Sequence, residues 1–141
     1  MKKLILSLCM LTVVYSCQKT NRESEQLTTK VSLMSPEKNA SVAGTAELRF
    51  SWAVAPTPNS ESLYKIRIVE ITGDQSPEQA LRCCKPHFEK DSLIAFSFIY
   101  PKSAMIPQLK LGSKYGWEVI LRKSKFNAAD VLSEAGSFSV K

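Results

Sequence analysis

Leu48-Arg49-Phe50-Ser51-Trp52-Ala53-Val54 alternates large apolar side chains with small or charged ones. A period of two sends Leu48, Phe50, Trp52 and Val54 to one face of an extended chain and Arg49, Ser51 and Ala53 to the other, as in a half-buried β-strand. Pro56 and Pro58 close the run, because proline cannot donate to a strand ladder. The same pattern recurs on both sides. Val31 and Leu33 precede it and stop at Ser35-Pro36; Tyr64, Ile66 and Ile68 follow it, alternating with Lys65 and Arg67. Farther on, Ile94, Phe96, Phe98 and Tyr100 alternate as far as Pro101, Tyr115, Trp117, Val119 and Leu121 form another set, and Phe138 and Val140 end the chain. These runs predict six strands, with a seventh around Phe88. One face of each is apolar, as expected of two antiparallel sheets packed against each other.

Ser76-Pro77-Glu78-Gln79 breaks the pattern. Serine as N-cap, proline at the first helical position and glutamine three residues after the serine make a capping box, so a short helical turn is expected near residues 76–82. No internal repeat or low-complexity tract is present.

Three stretches resemble a fibronectin type III domain. Ser35-Pro36, Asn39-Ala40-Ser41-Val42 and Phe50-Ser51-Trp52 are similar to that family's opening strand, its turn and its second strand with a core tryptophan. Leu109-Lys110-Leu111-Gly112-Ser113-Lys114-Tyr115 is similar to its tyrosine corner, and Tyr115-Gly116-Trp117-Glu118-Val119 with Ser137-Phe138-Ser139-Val140 to its last strands. The resemblance implies an all-β, immunoglobulin-like antiparallel β-sandwich of about seven strands over 31–141, a size close to the ~100 residues of such a domain. It also implies that the Tyr115 hydroxyl bonds to backbone a few residues upstream. The stretch Gly73 to Lys90 is longer than the usual connection in that family, and the scaffold by itself assigns no function.

Outside this domain, residues 1–16 have the composition of a signal peptide. Lys2 and Lys3 precede the apolar run Leu4–Val14, which is shorter than the ~20 residues a spanning helix requires. Val14-Tyr15-Ser16-Cys17 resembles the lipobox of bacterial lipoproteins, although Val14 stands where leucine is usual and Tyr15 where a small residue is common. The resemblance implies cleavage between Ser16 and Cys17, a diacylglycerol on the Cys17 thiol and an acyl chain on its new amine. A plain secretory cut also fits Val14 and Ser16, but leaves a cysteine directly after the cut as coincidence. Residues 17–30 then form a flexible tether, and the expected location is the bacterial cell envelope, anchored by lipid in the outer membrane. An acidic surface-export tag is matched only in part, by Glu23 and Glu25, so the periplasmic face and the cell surface both remain open.

Lys and Arg total 19 against 13 Asp and Glu; without Lys2 and Lys3 the count is 17 against 13, a net of +4. Spread along the chain, such a charge reads as a solvated basic face, and no aromatic-basic motif suggests nucleic acid. Cys83, Cys84 and His87 are the one cluster with metal or redox potential. Zinc takes four ligands, or three and water, and adjacent cysteines converge poorly on one ion, so no metal or cofactor is expected beyond the lipid on Cys17. A bond between neighbouring cysteines is strained, a free pair of thiols is unusual in an oxidising compartment, and a Cys–His nucleophilic pair would need thiol and imidazole in contact. Trp52 and Trp117 lie on apolar faces and read as core. Recognition of a protein or glycan is expected at the loops Pro56–Glu61, Gly73–Pro86 and Lys123–Asp130, the last with Phe126 at its centre. The expected function is a non-enzymatic binding or envelope-assembly module; the alternative is a small envelope redox or metal-dependent protein using Cys83, Cys84 and His87.

Overall fold

The alternating runs at residues 48–54, 64–68 and 115–121 form strands whose apolar residues point between two sheets. A computed structural model describes residues 28–44, 46–58, 61–122 and 129–141. The smaller sheet has the order β1 (Lys30–Ser35), β3 (Arg49–Ala55), β6 (Ser97–Ile99). The larger has the order β2 (Ala40–Val42), β9 (Gly136–Val140), β7 (Lys114–Leu121), β4 (Tyr64–Ile71), β5 (Phe88–Leu93), with β8 (Val131–Leu132) paired to β7. The domain is therefore an all-β, immunoglobulin-like sandwich with a short helix, α1 (Pro77–Cys83), between β4 and β5.

Aromatic rings from both sheets fill the space between them. Phe50 of the smaller sheet meets Trp117 edge-on at 4.9 Å and Phe138 at 5.7 Å, while Trp52 meets Tyr64 at 5.6 Å. Phe88 stacks on Phe98 at 5.5 Å and Tyr115 on Phe138 at the same distance. Val31, Ile66, Ile68, Val119, Leu121 and Val140 complete the core. Both tryptophans are core residues, as their strand positions predict.

The tyrosine corner has the expected form. Gly112 turns at φ 77°, a conformation glycine adopts without cost, and the Lys110 N–H donates to the Tyr115 hydroxyl oxygen at 3.0 Å. A second tyrosine ties the same side of the domain, the Tyr100 hydroxyl donating to the Pro107 carbonyl.

Among the described residues nine strands form, where the periodicity predicts about seven. β2 and β8 have three and two residues, too few for alternation to register. β2 exists because the chain crosses from one sheet to the other after β1. At the crossing Asn39 takes φ 63°, a region asparagine tolerates better than most residues. Its N–H donates to the Ser137 carbonyl at 2.7 Å and its side-chain oxygen accepts from the Ser137 hydroxyl at 2.7 Å, which sets β2 parallel to β9. A second difference concerns Ile94–Tyr100. Only Ser97–Ile99 is strand, and Ile94 is 78% exposed. The chain turns from β5 in the larger sheet to β6 in the smaller one across Ile94–Phe96, so Ile94 never reaches the interface.

Candidate functional site

Helix α1 closes the outer face of the larger sheet. Its capping box is complete: the Gln79 N–H donates to Ser76 Oγ at 3.2 Å and the Ser76 N–H to Gln79 Oε1 at 2.9 Å. Ala80 and Leu81 then pack on Val69 and Ile71 of β4. The approach needs Gly116, since a Cβ there would sit 3.3 Å from the Pro77 carbonyl oxygen. Strand β7 is thus buried on both faces, and Glu118, on its outward side, is covered. Glu118 accepts from Arg67 Nη1 at 2.8 Å; Arg67 also donates to the Leu81 carbonyl and approaches Glu89, which pairs with Lys65 at 2.7 Å. Glu89 therefore belongs to a ladder of ion pairs across β4, β5 and β7.

Where the helix enters, the sheet and the turn before α1 enclose an open cleft of about 500 Å³ lined by Asn39, Ile71, Asp74, Gln75, Lys114 and Ser139, among others. Gln75 shapes its rim: its Oε1 accepts from the Thr72 N–H and hydroxyl at 3.4 and 3.1 Å. Nearby, Glu70 accepts from Lys110 Nζ at 2.7 Å and from the Ser113 hydroxyl at 3.0 Å. These bonds hold the Glu70 carboxyl below its ordinary range and push the Lys110 ammonium above its own. Its lining includes the Lys114 ammonium, the Asp74 carboxylate, the Asn39 and Gln75 amides and serine hydroxyls, beside Ile71 and Pro77.

Cys83 and Cys84 end α1. Their sulfurs are 2.8 Å apart as free thiols, Cys83 exposed and Cys84 half-buried, and Gln75 Nε2 lies 3.6 and 3.8 Å from them. The Cys83 thiol is pushed up, first by its hydrogen bond with Cys84 and next by burial. His87 is placed elsewhere. Its backbone N–H donates to the Ile68 carbonyl at 2.8 Å and its ring stands edge-on to Tyr115 at 5.2 Å. Among the described residues no three His, Cys, Asp or Glu side chains are grouped to hold a metal ion. The structure thus brings the two thiols and Gln75 together and leaves the imidazole outside the group.

Ile71 is paired with Lys114 and Tyr64 with Leu121, so the turn after β4 and the C-terminal end of β7 lie at opposite ends of these strands. Residues 123–128, including Phe126, lie outside the described residues, as do residues 59–60 of the Pro56–Glu61 loop. The same holds for residues 1–27, with Ser16, Cys17 and most of the tether. No described helix is long and apolar enough to cross a membrane.

Sequence reading missed the cleft. Its signal was the loss of alternation at Ile68-Val69 and a glycine, Gly116, opposite on β7: two signs that the outer face is covered.

No protein-family model and no curated protein matches the chain. Among solved structures, the solution structure of the PKD domain from human KIAA0319 aligns with 84% of this chain and 88% of that one, with 15% identity and a TM-score of 0.39.

Proposed function

We propose that this chain is a bacterial lipoprotein, anchored through lipid on Cys17, whose fibronectin type III-like sandwich is a non-enzymatic binding or envelope-assembly module. The observation that carries the binding half is the cleft beside α1, with Asp74, Gln75 and Lys114 on its rim and Ile71 in its wall. The space between the sheets is filled by side chains, which leaves ligands to the surface. A short glycan or peptide segment, polar and without large net charge, matches the mixed donors and acceptors there. The anchoring half rests on Val14-Tyr15-Ser16-Cys17. Strand β1 starts at Lys30, so the stretch after Cys17 would span roughly 20 Å as a flexible coil. That length lifts the cleft off a bilayer while keeping it near the envelope. A processed lipoprotein has three acyl chains, and two or more hold stably at ~0.8 kcal/mol per buried methylene.

The test is membrane fractionation with labelled palmitate in a Gram-negative host. The wild-type chain takes up label and pellets with outer membranes; Cys17→Ala loses the label and moves to the soluble fraction. Unchanged pelleting of an unlabelled Cys17→Ala variant would refute the anchor.

A further inference from the structure

The geometry points to Cys83 and Cys84 as a reversible redox modification site, a vicinal dithiol that closes to a disulfide by exchange with a small-molecule disulfide such as oxidised glutathione. This inference does not rest on the lipid anchor or the cleft's ligand. Three observations carry it. The sulfurs face each other at 2.8 Å, although two adjacent cysteines in extended chain would point apart. Cys83 ends the helix and Cys84 is its C-cap, with φ −105° and ψ 151°, and this change of backbone direction brings the side chains together. The pair is also reachable, since Cys83 is exposed.

The exchange balances in two steps. The Cys83 thiolate attacks one sulfur of oxidised glutathione; a mixed disulfide forms and one glutathione thiolate leaves. Cys84 Sγ then attacks the Cys83 sulfur, the vicinal bond forms and the second glutathione thiolate leaves. The two cysteines give up two electrons and two protons, and one oxidised glutathione becomes two reduced ones.

Reversibility follows from the chain itself. One trans peptide holds adjacent Cα atoms ~3.8 Å apart, short of the ~4.4 Å where disulfides become comfortable. Strained, exposed bridges are readily reduced and belong with labile disulfides. The ring closes on a single peptide bond, so it cross-links no loop and gives little of the entropic stabilisation of a structural bridge. The bridge has a local effect instead. Gln75 Nε2 reaches both sulfurs while Gln75 Oε1 holds Thr72, so the oxidation state of the pair is felt at the rim of the cleft.

The test uses the full chain in glutathione buffers of rising oxidised fraction, quenched with a thiol alkylator and cut with trypsin. Cleavage after Arg82, with Lys85-Pro86 resistant, isolates Cys83–Lys90 from Cys9 and Cys17. The expected result is that this peptide passes from doubly alkylated to unalkylated and lighter by two hydrogens, and returns on adding dithiothreitol. Oxidation should quicken as pH rises, because the thiolate attacks and the Cys83 thiol is pushed up. Cys84→Ser should stop at the glutathione mixed disulfide on Cys83. Oxidised and reduced chains should unfold at the same denaturant concentration. A peptide that stays doubly alkylated, accumulates glutathione in the wild type or cross-links to another peptide would overturn the proposal, as would a bridge that strongly stabilises the fold.

Discussion

Replacing Gly136 with alanine tests the packing of the sandwich at its tightest point. A Cβ on Gly136 would lie 2.4 Å from Trp117 Nε1 and 2.9 Å from both Trp117 Cδ1 and Leu33 Cδ1. Trp117 cannot retreat, because its ring is fully buried and Phe50 stands against it at 4.9 Å. Overpacking of this kind costs about 1–3 kcal/mol, and contacts this short argue for the upper end. Alanine recovers about 0.4–1 kcal/mol by restricting the unfolded chain, which leaves a net loss of about 2 kcal/mol. For a domain of this size that is a fall in Tm of roughly 10 °C. The assay is urea unfolding, followed by tryptophan fluorescence, of a soluble form beginning at Gln18, in a cycle with Trp117→Phe. The smaller ring vacates the space the methyl needs, so the double variant should be at least about 1 kcal/mol more stable than the sum of the single effects. A Gly136→Ala variant within about 0.5 kcal/mol of wild type, or strict additivity in the cycle, would refute the steric account.

Two further predictions concern the corner where β7 begins. Tyr115→Phe keeps the ring in the core but removes the acceptor of the Lys110 N–H, and should lower stability by about 1–2 kcal/mol in the same unfolding assay. The Glu70 carboxyl is held below its ordinary range by Lys110 and Ser113. A depressed folded-state pKa contributes stability above the unfolded value and loses it as pH falls through the folded one. The urea midpoint of wild type should therefore decline on acidification below the ordinary carboxylate range, and Glu70→Gln should flatten that decline. The raised Lys110 pKa acts in the opposite direction, its contribution fading only as alkaline pH passes through the folded value.

How far the fold was legible depended on strand length and on what covered each face. β3, β4 and β7 have seven or eight residues, enough for alternation to show which side chains meet, and Phe50, Trp52, Tyr64 and Trp117 are all in the core. The capping box at Ser76 is a local signal and was read directly as α1. β2 and β8 were out of reach because two or three residues have no period; β2 depends on Asn39 and Ser137, which are 98 positions apart. The same limit hid the cleft. Its walls come from the crossing before β2, the turn after β4 and the edge of β9, segments that only the folded topology brings together. The thiol pair was visible as a dipeptide, but its Sγ–Sγ approach depends on the backbone turning at the helix C-cap. The alternative reading that needed His87 beside the thiols is not matched, its ring standing edge-on to Tyr115.

The parallel pairing of β2 with β9 has a mechanical consequence. These strands come from near the two ends of the described chain and run the same way, so a pull on the N-terminus opposed by a hold on the C-terminus slides one along the other. The bonds between them lie across that motion: Asn39 to Ser137, Gly44 to Lys141 and Lys141 to Val42. They are loaded in shear and must give way together, whereas a hairpin pulled from its open end unzips one bond at a time. Once β1 has parted from β3, a domain tugged through its leading segment would meet the force with a strand of only three residues.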